Sequence, residues 1–158
     1  MATQFDGAVT GFATFFGYFR RVAEEIGIEK ATALYTEAQI RHGREFGSSL
    51  KQQSKGQHDA MTASALVLPA LEQGAGFTAQ TMEKSPRRVV YRFGRCPFYE
   101  GAKAAGMDEG SIESVCRAGS LKYMDAAVKQ LSPRLCHELR KMRSSSDDFC
   151  EEAIAVIE

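Results

Sequence analysis

The 158-residue sequence has no excess of either charge and no long apolar run. Lys plus Arg number 20, and Asp plus Glu also number 20. This balance indicates neither a polyanionic partner nor attachment to a membrane surface. No apolar stretch approaches the roughly 18 residues needed to span a bilayer, and residues 1–6 lack the basic and apolar regions of a signal peptide. We therefore expect a cytoplasmic protein that binds neither nucleic acid nor membranes.

Recognisable cofactor and catalytic motifs are also missing. The four cysteines, at positions 96, 116, 136 and 150, form no Cys-x-x-Cys pair and show no zinc-finger spacing with histidine. We expect them to be thiols in a reducing compartment, with no metal and no other cofactor. The sequence contains no Gly-x-Ser-x-Gly, no glycine-rich phosphate loop, no His-Glu-x-x-His and no dinucleotide fingerprint.

The first 75 residues have the apolar periodicity of helices. Phenylalanines at positions 12, 15, 16 and 19 recur at steps of three and four, which predicts a helix over residues 8–26 that ends at Gly27. We expect them to pack in the core, with the lining of a ligand pocket as the alternative. A second helix is predicted over residues 28–50, with a polar loop over residues 48–57. A third is predicted over residues 60–73, where Pro69 should kink the helix or end it early.

Residues 76–158 alternate between strand and helix patterns. Residues 77–83 and 88–93 predict an antiparallel hairpin. A short helix should follow from Pro97, a second should be capped by Asp108, and a third should end before Pro133. Residues 134–143 and 149–157 predict two more strands. The expected fold is a single α+β domain over residues 1–158, with N-terminal helices packed on an antiparallel sheet of about four strands.

Two residues are candidates for chemistry because of their positions. Cys96 precedes Pro97 at a predicted helix start, where the helix dipole and the adjacent Arg95 favour a thiolate. We therefore expect Cys96 to alkylate faster than an ordinary thiol, although a buried packing role is the alternative. His42 falls within the apolar stripe of the second predicted helix, so its side chain should be buried. It would be either a base or ligand facing a cavity or a hydrogen-bonded core histidine.

The second half of the chain resembles a known family. A strand runs into Cys96 and an aromatic-rich helix start, and a second cysteine, Cys116, follows. A helix then ends at Pro133, and a Ser-Asp-x-x-Cys element ends at Cys150. This order resembles the L-2-amino-thiazoline-4-carboxylic acid hydrolase family, with Ser146 where the family pattern has glycine. It is more distantly similar to the 4-vinyl reductase group of small-molecule-binding domains.

The resemblance implies hydrolytic opening of a five-membered ring at the amidine-like carbon between sulfur and nitrogen. This reaction needs a nucleophile at that carbon, an acid for the leaving ring atom and a cation for the substrate carboxylate. The candidate site residues are Cys96, Cys116 and Cys150 as nucleophiles, His42 or His137 as base, Arg95 as carboxylate anchor, Tyr99 as substrate contact, and Asp147 or Glu138 as orienting acid. His137 is the weaker candidate for the base because it could be solvated on its strand.

Two functions from different classes follow. The first is a hydrolase-like enzyme that acts on a small sulfur- or nitrogen-containing acid. The alternative is a binding module of related fold that holds an apolar small molecule, a metal or a tetrapyrrole without turnover. An enzyme requires a thiol, a histidine and a cation to converge in one pocket, whereas a binding module requires only an apolar pocket. In both cases the partner is a small molecule, and a homo-oligomer is left open.

Overall fold

A computed structural model describes residues 1–157, which form six α-helices, one π-helical turn and a four-stranded sheet. No helix in this part of the chain is both long enough and apolar enough to cross a membrane. In chain order the elements are α1 (Gln4–Ile26), α2 (Ile28–Gln52), α3 (Ala60–Ala75), β1 (Ala79–Lys84), β2 (Arg88–Phe93), α4 (Pro97–Ala104), α5 (Glu109–Val115), the π-helical turn (Cys116–Ser120), α6 (Leu121–Leu131), β3 (Leu135–Lys141) and β4 (Cys150–Val156).

Side-chain caps define the starts of the N-terminal helices. Thr3 caps α1 and exchanges hydrogen bonds with Asp6, and Asp59 caps α3 in the same way with Thr62. Such reciprocal caps satisfy N–H groups that the helix itself leaves unpaired. Gly27, at a φ of 88°, ends α1 and begins α2, as predicted. The helical character of the first 75 residues is therefore encoded locally.

Three predicted boundaries in this half differ from the structure, the first being the start of α1, which lies at Gln4 rather than at residue 8. The helix α2 continues to Gln52, through the start of the stretch expected to be a loop. Leu50 is only 5% exposed, so core packing stabilises a segment whose own composition is polar. The helix α3 continues past Pro69 to Ala75. Val67, next to this turn, is completely buried, and such tertiary packing offsets the hydrogen bond that proline removes.

The sheet confirms the predicted α+β class. Its strand order is β1-β2-β4-β3, and every neighbouring pair is antiparallel. The predicted hairpin corresponds to β1 and β2. Tyr91 on β2 lies opposite Glu152 on β4, and Phe93 lies opposite Cys150. Because side chains alternate along a strand, Cys150 and Glu152 share one face with the core residue Ile154.

A close crossing of α2 and α6 fixes the helices next to the sheet. A Cβ atom on Gly43 would lie 2.2 Å from the carbonyl oxygen of Tyr123, and one on Gly47 would lie 2.2 Å from that of Ala127. Residues four apart share a helix face, so the two glycines let the backbones touch. This contact positions Tyr123, one of the residues that line the cavity described below.

The buried residues form two clusters with a cavity between them. One cluster joins the sheet to α3 and α6, and the other joins α1 and α2 to α4 and α5. Among the predicted core phenylalanines, Phe16 is completely buried and Phe19 is 5% exposed. Phe12 also packs on the second cluster, and it lines the cavity. Both roles considered for the phenylalanines therefore occur.

Candidate functional site

The cavity has a volume of about 520 Å³ and brings together three of the four cysteines. Cys96 comes from the start of α4, Cys116 from the π-helical turn and Cys150 from the start of β4. Arg143 and Glu152 line the same cavity. Residues more than 50 positions apart in the sequence therefore meet in one place.

Cys96 is the N-cap of α4, as the sequence predicts. Its Sγ atom accepts a hydrogen bond from the backbone N–H of Tyr99 at 3.5 Å. The prediction that Cys96 favours the thiolate form is wrong, because burial raises the pKa of its thiol to about 12. The hydrogen bond from Tyr99 and the charge of Arg143 lower this pKa, but desolvation is the larger effect. Cys96 therefore lines the cavity as a neutral thiol at neutral pH.

Cys116 begins the π-helical turn that links α5 to α6. Such turns are rare and occur frequently at functional sites. Burial raises the pKa of Cys116 well above its ordinary value, and the negative charge of Glu152 raises it further. Cys96 and Cys150 also act on this pKa, which places all three sulfur atoms within electrostatic range of one another.

Arg143 is the cation of the cavity, and the sequence analysis missed it. The residue is only 4% exposed and lies between β3 and β4. Its Nε donates to Sγ of Cys150 at 3.3 Å, and its Nη2 donates to the carbonyl oxygen of Phe93 at 3.0 Å. The third nitrogen, Nη1, is buried and has no hydrogen-bond partner among residues 1–157. A buried, unpaired guanidinium N–H is costly, and an anionic ligand would satisfy it.

Glu152 lines the cavity in front of a buried histidine. Nε2 of His137 lies 2.9 Å from Oε2 of Glu152 and 2.9 Å from Oη of Tyr91. The His137 side chain is completely buried, which contradicts the expectation that it could be solvated. Burial and the charge of Glu152 together raise the pKa of Tyr91 well above its ordinary value. The carboxylate is thus held in place from the sheet side.

Two of the predicted site residues line the cavity in different ways: His42 lies at its edge, and Tyr99 lies in its wall. His42 lines the cavity, but its side chain is 69% exposed and stacks on Tyr123 with ring centroids 5.4 Å apart. The prediction that His42 is buried is therefore wrong, and His42 is withdrawn from the catalytic residues. Tyr99 lines the cavity and is 2% exposed. Its hydroxyl donates to Glu109 at 2.9 Å, and burial together with this carboxylate raises the pKa of Tyr99 to about 12.

The three other predicted contacts do not line the cavity. Arg95 is exposed and forms a bidentate ion pair with Glu100, at 3.0 and 2.7 Å. Arg95 and Asp147 line a separate depression that contains no cysteine. Glu138 lies on β3 and accepts a weak hydrogen bond from the thiol of Cys136 at 3.7 Å. The structure therefore does not bring these three residues into the cavity with the thiols, and their assignments are corrected.

A family model for L-2-amino-thiazoline-4-carboxylic acid hydrolase matches residues 9–151. The chain belongs to this family. The match begins within α1, continues through every other helix and through β1 to β3, and ends at the beginning of β4, so it includes all three cysteines of the cavity and Arg143. No curated protein matches the chain.

The lining of the cavity determines which chemistry is available. It offers thiols, one buried guanidinium and one carboxylate. Within residues 1–157, no three His, Cys, Asp or Glu side chains are arranged to hold a metal ion. A thiol and a carboxylate are the side chains of nucleophilic and acid–base catalysis, and a guanidinium is the usual partner of a carboxylate ligand.

Proposed function

We propose that the chain is a hydrolase that opens the ring of an amino-thiazoline carboxylate or a close analogue in the cysteine-lined cavity. One observation carries the proposal. Arg143 lines the cavity, its Nε donates a hydrogen bond to the thiol of Cys150, and its buried Nη1 has no hydrogen-bond partner in the described part of the chain. The guanidinium can therefore hold the carboxylate of a substrate while the reacting carbon lies near the sulfur.

The charges of the cavity match the two ends of such a substrate. The family description specifies a ring that carries a carboxylate and an amidine-like carbon. Arg143 supplies the cation for the carboxylate, and Glu152 supplies the anion for the amidine nitrogens. Charged pairs removed from water discriminate strongly against ligands that lack either group, because a buried charge would then remain unpaired.

Cys150 is the proposed nucleophile. Its sulfur is the one that accepts a hydrogen bond from the guanidinium, whereas burial raises the pKa of both Cys96 and Cys116. The reactive form of a cysteine is the thiolate, for which a guanidinium is a charge-assisted donor. Cys96 and Cys116 then act as neutral thiols that shape the cavity around the ring.

The reaction consumes one water. Sγ of Cys150 bonds to the carbon between sulfur and nitrogen, the ring carbon–sulfur bond breaks, and the ring sulfur leaves with the proton that the cysteine gives up. Water then attacks the same carbon and the bond to Sγ breaks. One proton of the water goes to Sγ and the other to nitrogen, while its oxygen remains as a urea carbonyl. The product carries one free thiol.

Glu152 is the proposed acid–base group for both steps. It reaches the cavity from β4, and His137, whose Nε2 also contacts the hydroxyl of Tyr91, lies behind it. A carboxylate at this position can take a proton from the attacking thiol or water and return it to the leaving sulfur. His137 is a positioning residue, because its completely buried side chain acts through Glu152.

Ligand binding without turnover is the second candidate, and the other walls of the cavity favour it. Phe12, Phe46, Phe77 and Leu71 line them, so most of the surface is apolar. An apolar pocket of this size is typical of small-molecule binding sites in general. The unpaired guanidinium nitrogen favours a ligand with a carboxylate, such as the ring acid of the hydrolase reaction, because a purely apolar ligand would leave it unpaired.

Thiol release from 2-amino-thiazoline-4-carboxylate tests the proposal. The purified chain should release one thiol per substrate, measured with a colorimetric thiol reagent. Substitution of Cys150 by Ala should slow turnover by several orders of magnitude, about the loss seen for other covalent nucleophiles. Cys96→Ala and Cys116→Ala should instead cost stability, about 1–3 kcal/mol, with activity retained in the folded fraction.

Cys136→Ala is the matched control, because this cysteine does not line the cavity. Melting temperatures of all four variants separate loss of folding from loss of chemistry. Undiminished turnover by Cys150→Ala would exclude this cysteine as the nucleophile. Absence of thiol release by the folded wild-type protein would reject hydrolysis and leave the binding function.

A further inference from the structure

The cavity is much larger than the ring acid named by the family. A cavity of about 150 Å³ is enough for a benzene-sized ring, and cavities of roughly 300–1,000 Å³ hold drug-sized ligands. The cavity of this chain measures about 520 Å³. A bare five-membered ring with an amino and a carboxyl group would leave most of this space without a solute.

The polar groups account for only part of the lining. Arg143 contacts Cys150, and the charge of Glu152 acts on both Cys96 and Cys116, so these groups form one cluster. The cavity continues along walls supplied by α2, α3 and α6, where the lining is mostly apolar. These walls include the exposed residues His42 and Gly74, which mark the opening.

The apolar walls present flat aromatic surfaces. The Tyr123 ring is stacked against His42 and Phe46, with centroid distances of 5.4 and 5.5 Å. Met124 and Met142 complete the lining, and methionine adapts its shape to aromatic groups. Aromatic rings gain from offset or edge contacts with such side chains beyond the area they bury.

We propose that the substrate of this chain is a ring acid that carries an apolar aromatic substituent. The ring and its carboxylate occupy the cluster at Arg143 and the thiols, and the substituent occupies the apolar walls towards the opening. This inference rests on the proposed function for the identity of the ring. The choice among substituted rings rests on the volume and the lining of the cavity alone.

A pair of probes tests the inference on the wild-type chain. One is 2-amino-thiazoline-4-carboxylate, and the other bears a phenyl group on the ring carbon beside the sulfur. Titration calorimetry measures binding, and thiol release measures turnover. The phenyl compound should bind at least about tenfold more tightly, as expected from burial of its apolar surface. Equal or weaker binding of the phenyl compound would overturn the inference.

A cavity-filling variant locates the substituent. A Cβ atom on Gly74 would meet no other atom within 4 Å, so Gly74→Leu adds bulk to the wall without a backbone clash. This variant should abolish the gain from the phenyl group and leave binding of the unsubstituted ring unchanged. Gly17→Leu is the matched control, because Gly17 is an equally open helical glycine that does not line the cavity.

The two proposals fail separately. Tighter binding of the phenyl compound with no thiol release from either probe supports the shape of the substrate and rejects hydrolysis. Thiol release from the unsubstituted ring with no gain from the phenyl group supports hydrolysis and rejects the substituent. A gain that persists in Gly74→Leu rejects the placement of the substituent along the apolar walls.

Discussion

Nε2 of His137 lies 2.9 Å from Oε2 of Glu152, and the hydroxyl of Tyr91 lies 2.9 Å from the same nitrogen. These three side chains come from three adjacent strands, β3, β4 and β2. Antiparallel pairing thus fixes the position of the carboxylate in the cavity. Strands are rigid supports for a reacting group, which explains how one glutamate can be held in an otherwise apolar lining.

Glu152 and Tyr91 should differ in their effects on activity. Glu152→Gln keeps the size of the side chain but removes its ability to exchange protons, so kcat should fall by about 10²–10⁴. Tyr91→Phe removes one hydroxyl from the support, and the free energy of unfolding should fall by about 1 kcal/mol. The two variants are compared by steady-state kinetics and thermal unfolding. A Glu152→Gln protein with unchanged kcat would assign the proton transfers to another group.

Arg143 and Arg95 form a second contrast. Arg143→Met removes the buried cation and keeps an apolar stem, so binding of the ring carboxylate should weaken by about tenfold to a hundredfold, as expected for the loss of a charged hydrogen bond. Arg95→Met is the control, because Arg95 is exposed, paired with Glu100 and outside the cavity. Titration with the carboxylate substrate measures both affinities. Equal losses in the two variants would contradict the assignment of Arg143 as the anchor.

The fold was predictable because its signals are local. Helix ends at Gly27 and Asp59 and the two strands of the hairpin follow from turn, cap and periodicity patterns within a few residues. The phase of α2 was not predictable in the same way. Its contact face is formed by Gly43 and Gly47, which hydrophobic periodicity does not register. Hydrophobic periodicity alone therefore predicts that His42 is buried, although its side chain is exposed in the structure.

The site was only partly predictable, because its charged residues meet through long-range contacts. The hydrogen bond from Arg143 to Phe93 joins residues 50 positions apart. Nothing in the local sequence distinguishes this arginine from the others. The local sequence does contain a sign that Glu152 is unusual, since it shares the buried face of a strand with Cys150 and Ile154 at alternate positions. A charged residue at such a position is unusual and is a good indicator of function.

The pH dependence of stability should reflect the buried thiol of Cys96. Its pKa in the folded chain is about 12, against an ordinary value of 9.0. Above about pH 9 the unfolded chain loses the proton that the folded chain retains, so the free energy of unfolding falls as the pH rises. The slope approaches about 1.4 kcal/mol per pH unit for one such group. Denaturant unfolding between pH 8 and about 11 measures this slope.

Cys96→Ala should flatten the pH dependence, whatever its effect on stability at pH 7. Cys136→Ala is a comparison of the same chemistry at a cysteine outside the cavity, whose pKa is also raised by burial and by Glu138, and it shows how much of the flattening belongs to Cys96. Alkylation provides a second measurement, since iodoacetamide should label Cys96 slowly at pH 7 and about tenfold faster for each further pH unit. Rapid labelling of Cys96 in the folded chain at pH 7 would contradict the raised pKa.

The crossing of α2 and α6 predicts opposite effects for two identical substitutions. Gly47→Ala adds a Cβ atom 2.2 Å from the carbonyl oxygen of Ala127, a backbone atom that cannot move without shifting a helix. We expect a loss of about 1–3 kcal/mol in the free energy of unfolding, the cost of overpacking a well-packed contact.

Gly11→Ala makes the same change on α1, where no atom lies within 4 Å. It should raise the free energy of unfolding by about 0.5–1 kcal/mol, because alanine favours the helix over glycine. Denaturant unfolding of both variants measures the two changes, and a stable Gly47→Ala protein would mean that the two helices are further apart in solution.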